Sequence, residues 1–241
     1  MYKIIAIGDV ILDTHVKIDD ASVECDLDGH KCKLCLDYAT KIPVTDSFQT
    51  IGGNCANLAF STTKLGLDTA ILSTIGNDSN GQIIREALSS SKIDTQYITL
   101  DKKIKTRYSI ILNFKGERTI LSYHQKRNYQ WPKNFPATDW IYYTSLSEGF
   151  DSIQEKLLKL LAAHPTVRLA FNPGSFQLKN GLELTKTVLP HCDLLIVNLE
   201  EAEKIAGTNL KKTKSVSTLI NKLLELGAHE IVITDAANGA W

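Results

Sequence analysis

Polar residues that could hold a small ligand are concentrated around a pair of glycines. Gly52 and Gly53 are followed directly by Asn54, and Asn57 comes three residues later. Glycines allow close approach of a backbone to a ligand, and the free N–H groups of a helix start add donors to the two side-chain amides. Such groups bind hydroxyls directionally, so the segment predicts a site for a polyhydroxylated molecule. For the two glycines alone, a plain helix start with a glycine cap is the alternative.

A second group of reactive residues lies in a polar segment near the N-terminus. Cys25, Cys32 and Cys35 occur close together, with His30 between them. Three cysteines and a histidine have the composition of a structural Zn²⁺ site, although His30 lies only two residues before Cys32. The alternatives are a redox-active Cys32–Cys35 pair, or thiols without a metal. A bound zinc ion would hold together an insert with too little apolar surface to fold alone.

The elements that must position these residues alternate between strands and helices. Strands are predicted at 3–7, 69–75, 139–143, 167–171, 194–197 and 230–234, and helices at 54–65, 81–88, 152–163, 181–189, 199–206 and 215–226. This alternation predicts an α/β fold, with a mostly parallel sheet between two helical layers. Residues 14–50 and 95–123 depart from the pattern and predict a small β lid, which includes a hairpin around Gly116. The whole chain, 1–241, is then one α/β domain.

Composition excludes several classes of protein. The chain has 241 residues, of which 43% are hydrophobic, and its 27 basic residues balance 27 acidic residues. A broad basic face for nucleic acid is therefore not expected. The N-terminal apolar run is too short for a signal peptide, and no stretch reaches the roughly 18 apolar residues of a membrane helix. These features predict a cytoplasmic protein, in which five cysteines would be thiols or metal ligands rather than disulfides.

Several motifs together resemble those of the PfkB (ribokinase-like) carbohydrate kinases. The first is the segment 52–59, followed at set distances by Gly66 and Gly76. Cys55 stands where the family usually has Gly, Ala or Pro, so local crowding is expected there. Residues 8–13, 116–121, 198–207 and 233–241 resemble further family segments in the same order. The resemblance extends from residue 4 to residue 241, apart from the cysteine insert at 22–38.

The resemblance implies roles for individual residues. Asp13, Gly53, Asn54 and Asn57 would hold the sugar. Asn198 and Glu201 would organise Mg²⁺ and the ATP phosphates, with Asn172 on the phosphate side and Thr234 and Gly239 at the nucleotide. Asp13 alone also fits a turn aspartate, and the Asn198–Glu201 segment also fits an acidic helix start favoured by the macrodipole.

The resemblance also points to a missing part. Family members carry the catalytic base on a later Gly-Ala-Gly-Asp-type segment, which does not occur in these 241 residues. The base is therefore expected beyond Trp241, in a family member truncated at its C-terminus, and the 241-residue chain is expected to be inactive. A natural relative that has lost catalysis is the alternative.

The implied function is ATP-dependent phosphorylation of a sugar hydroxymethyl group. The alternatives are an adenosine-like nucleoside kinase of the same fold and a non-catalytic sugar-binding protein. An unrelated nucleotide-binding protein is disfavoured because no Gly-x-Gly-x-x-Gly follows the first strand. Arg107 and Arg118 are candidate clamps for a phosphorylated sugar, or exposed strand charges. By resemblance, the lid is expected to close over the sugar and to pair two subunits in a homodimer.

Overall fold

The computed structural model of the chain describes residues 1–26, 32–210 and 215–241. Its main sheet has seven strands, all paired in parallel, in the order β13-β12-β11-β10-β1-β6-β7. These strands are β1 (Tyr2–Ile7), β6 (Thr69–Gly76), β7 (Ile98–Asp101), β10 (Thr138–Tyr143), β11 (Arg168–Phe171), β12 (Leu194–Asn198) and β13 (Glu230–Thr234). The predicted α/β fold with a mostly parallel sheet is confirmed.

Helices cover both faces of this sheet. They are α1 (Asn54–Lys64), α2 (Ser79–Ser90), α3 (Phe150–Ala163), α4 (Ser175–Asn180), α5 (Leu182–Lys186), α6 (Leu199–Ala206) and α7 (Val216–Glu225). Successive residues of β1 point to opposite faces, so Ile5 and Ile7 join one buried cluster while Ala6 joins another. Within the described ranges, no helix is long and apolar enough to cross a membrane.

The helix predicted at 181–189 is shorter in the structure, where α5 covers only Leu182–Lys186. Gly181 separates α4 from α5, and a short 3-10 turn, Leu189–His191, follows. Pro190 lies inside that turn, and proline cannot donate the backbone hydrogen bond that would continue a helix. The helix predicted at 181–189 is therefore correct in its start but too long at its C-terminal end, and α4 was not predicted.

A second sheet lies outside the main one, in the order β5-β2-β8-β9. Its strands are β2 (Ile11–Ile18), β5 (Val44–Gly52), β8 (Tyr108–Phe114) and β9 (Glu117–Tyr123). We refer to these four strands as the lid sheet. β8 and β9 form a hairpin whose turn residues, Lys115 and Gly116, both have positive φ, as tight hairpin turns require.

The cysteine insert forms its own two-stranded sheet, β3 (Ser22–Cys25) with β4 (Cys32–Cys35). The antiparallel register places Cys25 opposite Cys32, and these two residues form a disulfide. Bonded sulfurs are not thiolate ligands, so this pairing contradicts the candidate Zn²⁺ set and the alternative of a Cys32–Cys35 redox pair. It also contradicts the prediction that the cysteines would be thiols or metal ligands rather than disulfides. Cys35 is free, and His30 lies outside the described residues. Across the described ranges, no group of three or more His, Cys, Asp or Glu could hold a metal.

Candidate functional site

The start of α1 and the strand β2 bring Asp13 against the two glycines. Asp13 lies opposite Thr50 of β5, and its carboxylate occupies the space where a side chain on Gly52 would begin. Gly53 has φ of 91°, and a Cβ at this position would lie 2.6 Å from the carbonyl oxygen of Asp9. Gly53 therefore requires glycine, because a side chain there would meet backbone, whereas a side chain at Gly52 would require the Asp13 carboxylate to move.

The two asparagines of the glycine segment lie on the first turn of α1. Both residues are exposed, and their spacing of three places them on one side of the helix. The Nδ2 of Asn54 donates to the Oδ1 of Asn172 at 2.7 Å and lies 3.4 Å from the Oγ of Ser145. Asn54, which is expected to bind the sugar, thus contacts Asn172, which is expected on the phosphate side.

Cys55, between these asparagines, points into the core. It is fully buried, and burial raises the pKa of its thiol well above the ordinary value. A Cβ on Gly8 would lie 3.0 Å from the Cβ of Cys55. The side chain of Cys55 is therefore accommodated because Gly8 has none. Cys55 therefore takes part in packing and not in the exposed site.

The residues expected to face the nucleotide follow the ends of β11, β12 and β13. Asn198 and Glu201 cap α6 reciprocally: each side chain accepts a hydrogen bond of 2.9 Å from the backbone N–H of the other residue. Asn198 pairs in register with Thr234, and nothing lies within 4 Å of the position that a Cβ on Gly239 would take. All four lie at the edge of the sheet where open α/β folds bind ligands.

The capping arrangement limits how this edge could bind a metal. The Oε2 of Glu201 is used by the cap, which leaves Oε1 as its remaining oxygen. Burial is the largest cause that raises the pKa of Glu201, although the backbone N–H of Asn198 acts in the opposite direction. One carboxylate oxygen that the cap leaves unused suits contact with a hydrated Mg²⁺, which binds few protein ligands and keeps its waters.

A buried ionic cluster beside this site was not predicted from the sequence. The Asp9 carboxylate accepts hydrogen bonds from the Arg107 guanidinium at 2.6 Å, the Tyr129 hydroxyl at 2.7 Å and the Ser147 hydroxyl at 2.7 Å. The Nε of Arg127 lies 3.8 Å from the same carboxylate. Asp9 follows β1, whereas Arg107 precedes β8, so the cluster ties the lid sheet to the main sheet.

Arg107 therefore differs from the exposed strand charge that was one expectation. Its side chain is 8% exposed, whereas Arg118 is exposed and lies opposite Asn113 in the hairpin. The second terminal nitrogen of Arg107 lies 3.3 Å from the Nε2 of His124. Burial and, after it, the charge of Arg107 lower the pKa of His124, which favours the neutral imidazole.

A surface cleft elsewhere on the molecule contains none of the predicted site residues. It has a volume of about 690 Å³ and lies beside the start of α2, where Asn77, Gln82 and Arg85 line it. Asp78 at its edge caps α2 through the backbone N–H of Gly81 and also accepts from the Thr106 hydroxyl. These bonds give Asp78 a structural role.

Comparison with known proteins yields one family match and many similar folds. A family model described as pfkB family carbohydrate kinase matches residues 13–241. The ribokinase of Staphylococcus aureus (strain COL) is 26% identical over 200 residues, which cover 79% of this chain and 62% of that protein. An ATP-dependent 6-phosphofructokinase of Thermoanaerobacterium thermosaccharolyticum is 21% identical, with 85% of this chain and 65% of that protein covered. The chain thus spans less than two thirds of the length of these relatives.

Solved structures agree with the fold. Arabidopsis thaliana ribokinase, complexed with ribose and ATP, matches 99% of this chain and 73% of its own at a TM-score of 0.74 and 18% identity. Ribokinase from Cryptococcus neoformans var. grubii serotype A, in complex with ADP, matches 100% of this chain and 75% of its own at a TM-score of 0.69 and 19% identity.

Proposed function

The chain belongs to the pfkB family of carbohydrate kinases, and on that basis we propose that its protein transfers the γ-phosphate of ATP to a hydroxymethyl group of a sugar. Asp13, Gly53, Asn54 and Asn57 form the acceptor side in this proposal. Asn172, Asn198, Glu201, Thr234 and Gly239 form the side that faces ATP. The similar ribokinases support a sugar and ATP as the two ligands, since one of them is a complex with ribose and ATP.

The observation that carries the proposal is the hydrogen bond between Asn54 and Asn172. It joins the acceptor side at the start of α1 to the phosphate side at the end of β11, with 2.7 Å between the two amides. Phosphoryl transfer depends chiefly on positioning, because the attacking oxygen and the γ-phosphate must be adjacent and in line. The contact between these two side chains supports an acceptor site and a phosphate site that are adjacent.

Each part of the site has a defined task in the proposed reaction. The Asp13 carboxylate accepts hydrogen bonds from sugar hydroxyls, while the N-terminal N–H groups of α1 and the asparagine amides complete the acceptor pocket. The lid sheet, anchored through Arg107 and Asp9, covers the sugar and excludes water. Mg²⁺ near Glu201 would neutralise charge on the ATP phosphates. The family's Gly-Ala-Gly-Asp-type segment is not among these residues, so no residue of this chain is proposed as the base.

Calorimetric titration of the purified chain with D-ribose, D-fructose and adenosine tests the acceptor site. We expect a sugar to bind and Asp13→Asn to weaken it by about tenfold or more, since hydrogen bonds to a charged group contribute about 1.5–3 kcal/mol. Asp139→Asn is the matched control, because Asp139 pairs with Lys3 on the surface, away from the site. Equal sugar affinity in both variants would contradict the assignment of Asp13.

A nucleoside kinase is the second candidate, and one feature of the lid sheet favours it. The rings of His15 and Phe48 stack at 4.5 Å, and both side chains lie on the lid face that carries Asp13. An exposed Phe48 stacked on a half-buried His15, two residues beyond Asp13, could stack with a nucleobase. In the same titration, adenosine binding that Phe48→Ser weakens, with no binding of free sugars, would favour this candidate.

A further inference from the structure

The side-chain amide of Asn172 has its orientation determined by a backbone carbonyl. The carbonyl oxygen of Ile196 can only accept a hydrogen bond, so the Asn172 atom 2.7 Å from it must be the nitrogen Nδ2. The other end of the amide, Oδ1, is therefore an acceptor. Consistently, the Tyr142 hydroxyl donates to this oxygen at 3.3 Å.

The orientation of Asn172 determines that of Asn54. Because Asn172 presents Oδ1, the Asn54 atom 2.7 Å away must be its nitrogen, which donates. The same nitrogen lies 3.4 Å from the Ser145 hydroxyl, so both of its hydrogens are directed at protein oxygens. The Oδ1 of Asn54 has no hydrogen-bond partner in the described part of the chain, and the residue is exposed.

Turning either amide over would place acceptors against each other. Rotation of Asn54 would bring its Oδ1 against the Oδ1 of Asn172. Rotation of both amides would restore that bond but would bring Asn172 Oδ1 against the Ile196 carbonyl. Each mismatch leaves polar groups unpaired at a substantial free-energy cost, so a single orientation is favoured.

We propose that Asn54 is a specificity-determining residue that presents only a hydrogen-bond acceptor to the ligand. The ligand group opposite it must be a donor, namely a hydroxyl of the acceptor sugar, and a group that only accepts is rejected there. That the ligand is a sugar rests on the proposed function. The orientation of the Asn54 amide is independent of it. Once a bound ligand covers Asn54 and excludes water, an acceptor of fixed polarity discriminates against ligand groups that cannot donate to it.

Asn57 provides an internal contrast on the same helix. Its side-chain amide makes no hydrogen bond within the described residues, so it can present either end to a ligand. We therefore assign discrimination between donor and acceptor groups to Asn54, and adaptable binding to Asn57.

Side-chain amide exchange measured by NMR on asparagine-labelled chain tests the orientation without any ligand. We expect the Nδ2 hydrogens of Asn54 to exchange about tenfold or more slowly than those of Asn57, and to lose this protection in Asn172→Ala. The Asn54→Ala variant, at an exposed position, assigns the signal without disturbing the fold. Equal exchange of the two amides in the unmodified chain would overturn the proposal.

Titration with D-ribose, D-fructose and their monodeoxyfluoro analogues tests the specificity. Fluorine replaces a hydroxyl without donating a hydrogen bond, so at one ring position we expect at least about a tenfold loss of affinity. In Asn54→Ala, the same analogue should bind less than about threefold more weakly than the parent sugar, because alanine has no acceptor that the fluorine would leave unpaired. A loss that is unchanged in Asn54→Ala would overturn the proposal. If neither parent sugar binds, the proposed function fails, and the exchange experiment alone decides the orientation of Asn54.

Discussion

Asp9 and Asp13 belong to the same short segment, but they have opposite surroundings. Asp9 is 1% exposed and is surrounded by Arg107, Tyr129 and Ser147, whereas Asp13 is half-buried beside Gly52. A buried carboxylate whose oxygens already accept hydrogen bonds from the protein serves structure, whereas a half-buried one is more available to a ligand. The two residues should therefore respond differently to the same substitution.

We predict that Asp9→Asn destabilises the protein by about 3 kcal/mol or more. The substitution removes the negative charge that compensates Arg107 and leaves that guanidinium buried without a partner of opposite charge. Urea denaturation followed by circular dichroism measures the change in the free energy of unfolding. Asp139→Asn, at the exposed pair with Lys3, should cost less than about 1 kcal/mol. Similar losses in both variants would contradict the importance of the buried cluster.

Glu201 provides a prediction with a pH dependence. Its pKa is raised in the folded state, chiefly by burial, so the folded protein disfavours the ionised form. The destabilisation that comes from ionising this buried carboxyl is absent below the unfolded-state pKa of about 4.5. It develops as the pH rises through the folded-state pKa. Glu201→Gln keeps an acceptor for the Asn198 N–H, so this variant should be as stable as the parent, or more so, near neutral pH. The difference between the two proteins should disappear near pH 4, and urea titrations at both pH values measure it.

At the scale of elements, the start of α1 depends on a close approach of three chain segments. Gly53 has positive φ and lies against the backbone of Asp9, while Gly52 lies against the Asp13 carboxylate. A helix start built from larger residues would push β1 and β2 away from α1. The glycine pair thus brings the acceptor residues together as well as exposing backbone donors.

We predict that Gly53→Ala destabilises the protein much more than Gly66→Ala does. Both glycines have positive φ, so each substitution carries a backbone strain of roughly 1–3 kcal/mol. Only at Gly53 does the new Cβ meet a backbone oxygen, at 2.6 Å, whereas nothing lies within 4 Å at Gly66. Thermal unfolding of the two variants measures the difference. Equal shifts in Tm would show that the contact with Asp9 relaxes at little cost.

At the scale of the whole molecule, the lid sheet leaves an apolar face uncovered. Leu121 is 53% exposed, and its partner in the hairpin, Ile110, is 36% exposed. Tyr108 and Tyr123 stack beside them on the same face, which is opposite the face that carries Asp13. A second copy of the chain would cover this surface in the homodimer expected from the family resemblance.

We predict that Leu121→Asp shifts the chain toward monomer. A carboxylate at the centre of the apolar lid face would have to be buried without a partner in the dimer. Leu224→Asp is the matched control, because Leu224 is 42% exposed on α7, outside the lid sheet. Sedimentation equilibrium of the two variants measures the molar mass. A parent chain that is already monomeric would contradict the prediction.

Much of the fold and part of the site follow from local patterns in the sequence. Alternating apolar strands and amphipathic helices predict the parallel sheet, since each element buries a face that its own spacing defines. The site at the glycine–asparagine segment 52–57 could also be predicted, because residues adjacent in the sequence lie together at a helix start. The short helix α4 and the early end of α5 were missed, although Pro190, which cannot continue a helix, is visible in the sequence.

Only the tertiary structure decided which residues of different strands and helices meet. Asp9 with Arg107, Asn54 with Asn172, and the cross-strand pairing of Cys25 with Cys32 each depend on strand order or register. Short sequence spacing suggested a metal site for the cysteines, but the antiparallel register placed two sulfurs within bonding distance. Residue types and spacing limit the chemistry that a segment can perform. Contacts between different strands and helices decide which of its residues bind a ligand and which only stabilise the fold.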